Sequence, residues 1–364
     1  MSSPTVLIMA AGTGGHIFPA LSVARRLQSE GINVEWLGTP TGMENDVLSG
    51  TNIVLHQLPV RGLRGKRLIS LLSAPIMLLT SLWAALKVMK QIKPCCVLGM
   101  GGYVAGPGGL AAWLSRRPLV LHEQNSVAGT TNRILVPFAQ AVLQSFTGTF
   151  KPSKKLVSSG NPVRADIEAL YSVQRSFCKD GKLHVLVIGG SLGAANLNTH
   201  VIEAVSRVKP ELDIEVWHQT GRQKYQSAMD MCQRYKLSES DAYRLAPFID
   251  DMAEAYQWAD LIICRAGAGT LSELAVAGLP SVLVPYPYAI DDHQTANARH
   301  LSDAGAAVLI ADHMLDSGQL AQLLQSFAAD PARLQTMSVA ARAAAHPDAC
   351  ARVARVCQEV CHVA

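Results

Sequence analysis

Residues 6–27 read VLIMAAGTGGHIFPALSVARRL, and this stretch decides the fold. Val6 to Ala10 is a short unbroken apolar run ending at glycine, the pattern of a strand buried on both faces. Gly12-Thr13-Gly14-Gly15-His16 interrupts it. Ile17, Ala20, Leu21, Ala24 and Leu27 then recur at helical spacing, and Pro19 suits a first helical turn. The same plan returns later. Val185-Leu186-Val187-Ile188 runs into Gly189-Gly190-Ser191-Leu192-Gly193 and a second predicted helix.

Further apolar runs alternate with helical patterns through both halves. They are Asn33–Leu37, Val97–Met100 and Leu119–His122 in the first, and Ile214–His218, Leu261–Cys264, Ser281–Pro285 and Ala306–Ile310 in the second. Such alternation requires parallel sheets with right-handed crossovers. The expected architecture is α/β, two Rossmann-like doubly wound domains facing a cleft and joined near Ser159-Gly160-Asn161-Pro162. Ligands of such sheets sit at the carboxyl ends of the strands.

Composition supports large cores: of 364 residues, 49% are hydrophobic and 16% charged. A net charge of +4 is too small to imply nucleic acid. None of the eight cysteines forms a C-x-x-C pair, and several lie in apolar runs, so buried free thiols in a reducing compartment are expected and zinc is not. The N-terminus lacks a basic region and its apolar run stops at Ala11, so a secretory signal is not expected and the chain reads as cytosolic. Leu68 to Leu86 is free of charge and long enough to cross a bilayer. Pro75, four hydroxyl residues and cations on both flanks favour a segment lying on an anionic surface over a spanning or purely internal helix.

The glycine turns are where chemistry is expected, although a tight β-α turn explains each of them equally well. Gly12-x-Gly14-Gly15 lets backbone approach a ligand, and the helix behind it offers free N–H groups to an anion. A dinucleotide fold is excluded on two counts. The pattern is not G-x-G-x-x-G, and the second strand ends at Leu37-Gly38-Thr39 without a ribose-binding acid. His16, beside the turn, is the candidate general base, since a helix N-terminus disfavours the imidazolium. Glu123, in His122-Glu123-Gln124-Asn125 at a strand end, is the runner-up. Arg265 to Glu273 passes from strand to small-residue loop to helix. Thr270-x-x-Glu273 has the form of a capping box, so Glu273 either caps its helix or receives two vicinal hydroxyls. Gln294 and Asn297 share a helix face and suit sugar hydroxyls. Asp291 and Asp292 read as helix caps, not as metal ligands, and neither a metal nor a cofactor is expected.

With these residues in hand, the chain resembles the bacterial glycosyltransferases that convert undecaprenyl-pyrophosphoryl-N-acetylmuramyl-pentapeptide (lipid I) into lipid II. The resemblance rests on GTGGHIFPA, VLGMGGYVAGPGGLAAW, HEQN, GNPVR, GGSLGA, FIDDMAEAYQWADLIICRAGAGTLSELAVAGLP and DDHQTANA, which follow in that order between residues 12 and 298. It implies a glycosyltransferase B-type fold, in which residues 1–161 face acceptor and membrane and 162–345 bind UDP-sugar. Residues 346–364 form a closing helix, for which a return onto the N-terminal domain is one option.

The reaction so implied is inverting transfer of N-acetylglucosamine from UDP with formation of a β-1,4 link, for peptidoglycan synthesis and hence cell shape and division. Ile249 is expected to meet uracil through its backbone and Glu273 the ribose. Ser191 and Arg164 are expected at the diphosphate, Gln294 and Asn297 at the sugar, and Ala268, Gly269, Thr270, Leu271 and Ser272 along the nucleotide. Thr13, Gly14, Gly15 and Asn125 would close over the donor, with Tyr103 and His16 toward the acceptor. Leu72, Ile76, Leu79, Leu82 and Trp113, with Arg64, Lys66, Arg67, Arg116 and Arg117, would contact anionic lipids at the cytoplasmic face of the inner membrane, where other cell-wall enzymes are candidate partners.

Three other readings compete. They are a B-type glycosyltransferase acting on diacylglycerol, a sugar-nucleotide epimerase on a similar fold, and a non-catalytic membrane adaptor using Leu68–Leu86. The last leaves the glycine turns and Arg265–Glu273 unexplained.

Overall fold

A computed structural model describes residues 4–61, 74–190, 193–237 and 242–363. The chain divides into two compact units, Met1–Arg164 with Asp348–Ala364, and Ala165–Pro347.

The first unit is built on a seven-stranded parallel sheet: β1 (Thr5–Ala10), β2 (Asn33–Gly38), β3 (Val54–Gln57), β4 (Cys96–Gly101), β5 (Leu119–Glu123), β6 (Ala141–Gln144) and β7 (Leu156–Ser158), in the order β3-β2-β1-β4-β5-β6-β7. The second carries β8 (Leu183–Ile188), β9 (Ile214–Gln219), β10 (Tyr243–Ala246), β11 (Leu261–Cys264), β12 (Ser281–Leu283) and β13 (Ala307–Leu309), in the order β10-β9-β8-β11-β12-β13. Each order reverses once, between β1 and β4 and between β8 and β11. These reversals part the loops at the carboxyl ends and are where such sheets receive ligands.

The continuous apolar runs became the central strands because helices cover both of their faces. Leu7, Ile8 and Met9 of β1 and Val185, Leu186 and Val187 of β8 are wholly buried, each contributing about 1.5–3 kcal/mol. The strands that the hydrophobic pattern does not announce are β3, β6, β7 and β10. Three of these are sheet edges with partly exposed residues, where alternation is weak and no long apolar run is needed.

Two expectations are corrected. Pro19 is not in a first turn. The helix runs Gly14–Ser29 and Pro19 is its sixth residue, so Gly15 C=O has no N–H four residues on to receive. Nor are all the cysteines free. Cys95 and Cys361 form a disulfide with Cα atoms 4.8 Å apart, because the terminal helix Ala349–Val363 packs on the helix Gly14–Ser29 and on β4 within the first unit. Cys96, Cys178, Cys232, Cys264, Cys350 and Cys357 are free thiols.

No helix among the described residues is long and apolar enough to cross a membrane. The Leu68–Leu86 segment overlaps Ala74–Ile92, a helix that buries Ser81, Ala85 and Met89 and exposes Ile76, Leu79 and Trp83. Leu82 is half-buried in the core of the first unit. The neighbouring helix Ala105–Leu114 exposes Trp113 and Leu114. Leu72, Arg64, Lys66 and Arg67 lie outside the described residues. Trp83, which the sequence reading passed over, stands on the exposed face with the Lys87 ammonium 3.3 Å from its ring centre.

Candidate active site

At the β1/β4 reversal two glycine turns are pressed together. Gly102, at φ +85°, would place a Cβ only 2.3 Å from the Ala11 carbonyl oxygen, so a side chain there is excluded by backbone. Gly101 leaves room for the His16 ring, since a Cβ on it would fall 2.5 Å from Cδ2 and 2.9 Å from Nε2. His16 is the third residue of its helix, with its N–H donating to Thr13 C=O at 3.0 Å. Thr13 holds the N-cap position, but its Oγ1 lies 3.5 Å from His16 Nδ1 and makes no cap bond to the helix backbone. Tyr103 is exposed beside Gly12, and Gly14 and Gly15 open the helix.

The end of β1 is held from behind. Trp36 Nε1 donates to Ala10 C=O at 2.8 Å. Buried Glu44 receives the Thr39 N–H and hydroxyl at 2.7 Å each, and the Gly12 N–H at 3.4 Å. An acid thus does reach the end of β2, from the following helix, and it is spent on the turn itself. Nothing local in the sequence marks Glu44 for this.

The motif His122 to Asn125 separates by role. His122 is wholly buried, donating from Nε2 to Gly160 C=O at 3.0 Å and accepting at Nδ1 from Gln124 Nε2 at 3.2 Å. Burial lowers its pKa to about 4 against the smaller opposing effects of Gly160 and Glu123, so it is neutral. Glu123 is buried and receives the Gly129 N–H and Asn132 Nδ2 at 2.9 Å each on Oε2, and the Asn125 N–H at 3.1 Å and Nδ2 at 3.4 Å on Oε1. Its carboxylate is the knot of the loop that follows β5. Asn125 is the half-buried member of the motif. Arg164, also half-buried, ends the continuous part of this unit.

In the second unit the helices after β8 and β11 begin at Ala195 and Ala268, with Ala194 and Gly267 as their N-caps. Neither residue caps its helix with a side chain, and helix N-termini of this kind suit anions. Gly193 is required by contact, because a Cβ there would lie 2.0 Å from the Thr220 carbonyl oxygen. Ser191 lies outside the described residues.

The capping-box reading of Thr270 and Glu273 is corrected here. The N-cap is Gly267, so Thr270 is already the third helical residue and Glu273 the sixth, too far along to reach the N-cap N–H. Half-buried Glu273 instead accepts from the Tyr256 hydroxyl at 2.8 Å. The side-chain cap in this neighbourhood is Asp251, whose Oδ1 receives the Glu254 N–H at 2.8 Å. Asp292 has the N-cap position of the helix His293–Ser302 without capping it. It takes a left-handed conformation and accepts from Thr295 Oγ1 at 2.7 Å. Among the described residues no cluster of His, Cys, Asp or Glu could hold a metal ion.

The loop after β11 is fixed by amides. Gln294 Oε1 accepts from the Ala266 N–H at 3.2 Å and the Tyr286 N–H at 2.9 Å, which turns its Nε2 donors away from this peptide. Asn297 is fully buried and donates to Ala266 C=O at 3.4 Å. Arg265 pairs with Asp312 at 2.5 Å and donates to the Val284 and Pro285 carbonyls at 3.0 Å each. Asn196, at the start of the helix after β8, binds the other Asp312 carboxylate oxygen at 3.1 Å. Ile249, almost wholly buried, gives its N–H to Gln219 Oε1 at 3.1 Å.

Comparison with known proteins joins the two units into one kind of enzyme. The glycosyltransferase family 28 N-terminal domain matches residues 6–144, and the family 28 C-terminal domain matches residues 184–353. The chain belongs to glycosyltransferase family 28.

Among relatives of this family 28 chain, the UDP-N-acetylglucosamine–N-acetylmuramyl-(pentapeptide) pyrophosphoryl-undecaprenol N-acetylglucosamine transferase of Stutzerimonas stutzeri is 50% identical, over 98% of this chain and 99% of that one. A crystal structure of MurG from Acinetobacter baumannii is 41% identical with a TM-score of 0.82, covering 98% of this chain and 99% of that chain. A UDP-N-acetylglucosamine 2-epimerase, at 15% identity and a TM-score of 0.69, covers 97% and 95% and shares the fold alone.

Proposed function

We propose that this chain transfers N-acetylglucosamine from UDP-N-acetylglucosamine to undecaprenyl-pyrophosphoryl-N-acetylmuramyl-pentapeptide, with inversion, giving the β-1,4 link of lipid II for peptidoglycan synthesis and, through it, cell shape and division. The observation that carries this reading is near-complete two-way coverage of a relative with that named activity at 50% identity. The epimerase alternative has only a fold in common.

Inversion needs a base at the acceptor hydroxyl and stabilisation of departing UDP. His16 is proposed as the base. A helix N-terminus favours its neutral form, and Gly101, lacking a side chain, makes room for the ring. Glu123 is the weaker candidate because four N–H donors already converge on it. On the donor, Glu273 is proposed for the ribose diol, with Tyr256 orienting its carboxylate. The first turns behind Ala194 and Gly267, with Ser191 and Arg164, are proposed for the diphosphate, and Ala268 to Ser272 for the nucleotide. The Nε2 of Gln294 is proposed for the sugar hydroxyls, with buried Asn297 holding the same loop. Since the Ile249 N–H is engaged by Gln219, its carbonyl is the group proposed for the uracil N3–H. Thr13, Gly14, Gly15, Asn125 and Tyr103 are proposed to contact the substrates from the first unit.

The exposed Ile76, Leu79, Trp83 and Trp113, with Arg116 and Arg117 close in sequence to Trp113, support peripheral binding to anionic lipid of the cytoplasmic leaflet. Such a position would also bring the chain to other cell-wall enzymes.

The test is UDP release from UDP-N-acetylglucosamine with and without a short-chain lipid I analogue. Release only with acceptor, together with a disaccharide product, is expected. Tight binding of UDP-sugar with no product would sink the acceptor assignment.

A further inference from the structure

Gln219 ends β9 and is almost entirely buried. Its amide spans two loops. Nε2 donates to the Gly190 carbonyl at 3.3 Å in the turn after β8, and Oε1 accepts from the Ile249 N–H at 3.1 Å in the loop after β10. Thr220 also ties β9 to the end of β10, its N–H donating to the Ala246 carbonyl at 3.0 Å. Thr220 C=O accepts from Asn198 Nδ2 at 3.0 Å. His218 is bonded on both ring nitrogens, to Tyr243 at 2.9 Å and Asn198 at 3.1 Å. The Gln219 side chain thus puts one donor and one acceptor between two backbone segments, adding to the Gly193 N–H that the Gly190 carbonyl already receives at 2.9 Å.

We propose that Gln219 is a positioning residue that fixes the base-reading backbone at Ile249 and the diphosphate turn at Gly190 in a single geometry, so that a uridine diphosphate-sugar is held at both ends at once. This rests on the donor reading above. An amide is the side chain that meets both demands. A carboxylate could accept from Ile249 but would face the Gly190 carbonyl with a second acceptor. A residue lacking polar atoms would orphan the Ile249 N–H and leave the Gly190 carbonyl with the Gly193 N–H alone. Because each bond holds the backbone proposed for a different part of the ligand, breaking one affects ligands that use that part and spares those that do not.

The experiment compares wild type, Gln219→Glu and Gln219→Met as full-length chains, using UDP-N-acetylglucosamine and uridine as probes. The UDP-sugar carries no group that titrates between pH 6 and 8.5, roughly the window used. At high pH, Q219E is expected to lose at least about tenfold in UDP-sugar affinity and to keep wild-type uridine affinity. As pH falls and the buried carboxyl takes up a proton, its O–H can donate to Gly190 and UDP-sugar affinity returns. Wild type is the control for pH effects from other groups. Q219M, which keeps the volume and removes both bonds, is expected to weaken for both ligands at all pH values.

Equal loss of both ligands by Q219E with no recovery at low pH, or wild-type UDP-sugar affinity in either variant, overturns the proposal. If Q219E does not fold, Q219M decides by its UDP-sugar affinity. Failure of the wild-type chain to bind UDP-N-acetylglucosamine overturns the donor reading and this inference with it. Wild-type binding beside unaffected variants overturns the inference alone.

Discussion

Gln294 and Asn297, one helical turn apart, grip the two backbone polar groups of Ala266, Gln294 receiving its N–H and Asn297 donating to its carbonyl. Their amide side chains suit sugar hydroxyls. The bonds give them a prior task, holding the loop that starts the helix Ala268–Ala277. Asn297→Asp puts an acceptor against the Ala266 carbonyl in a fully buried place. It is expected to cost about 2–5 kcal/mol in urea denaturation and to raise KM for UDP-N-acetylglucosamine. Gln294→Ala should raise KM with a smaller loss of stability, because its surroundings are more open. Equal stability losses for the two would contradict this division.

His16 and Glu123 make opposite predictions. His16→Ala is expected to keep its melting temperature and UDP-sugar binding and to lose about 10²–10⁴-fold in kcat. Glu123→Ala removes the shared acceptor of four donors and is expected to lower the melting temperature sharply. Kinetics and thermal melts on both variants separate a base from a knot. A stable Glu123→Ala with dead chemistry would reverse the assignment.

Gly101→Ala probes the seat of the His16 ring. The added methyl would overlap Cδ2 at 2.5 Å, so the imidazole must swing away. Turnover is expected to drop well beyond any loss of donor affinity. Gly102→Ala collides with backbone at Ala11 instead and is expected to impair folding, read as poor soluble yield and a lowered urea midpoint.

Stability should fall on the acid side of neutrality. Burial holds His122 at about 4 and His218 at about 3 in the folded chain, while free imidazoles titrate near 6.5. Below about pH 6.5 the unfolded chain binds protons that the folded one refuses, so these groups contribute a loss of stability as pH drops. The loss continues to about pH 4 for His122 and about pH 3 for His218, then levels. Each unit of pH in that window costs about 1.4 kcal/mol per histidine. Urea titrations at pH 7.5 and 5.5 should differ accordingly, and His218→Gln should flatten the slope. An unchanged midpoint would mean that the histidines are solvated.

The sequence by itself determined the repeated strand–glycine–helix plan and the parallel sheets. These follow from local causes: an apolar run short enough for a buried strand, a glycine where backbone must turn, and helical spacing after it. The edge strands β3, β7 and β10 were not legible because a half-exposed edge needs no continuous apolar signal. Tertiary structure alone decided what each polar residue of the site is spent on. It set Glu123 on its four donors, Glu273 on Tyr256 and not on a cap, and Glu44 on the turn at Gly12. It also joined Cys95 to Cys361 and set Gln219 between Gly190 and Ile249. The partners of most of these groups lie far along the chain, and a hydrogen bond over such a separation is fixed by strand order and register, which no local pattern encodes.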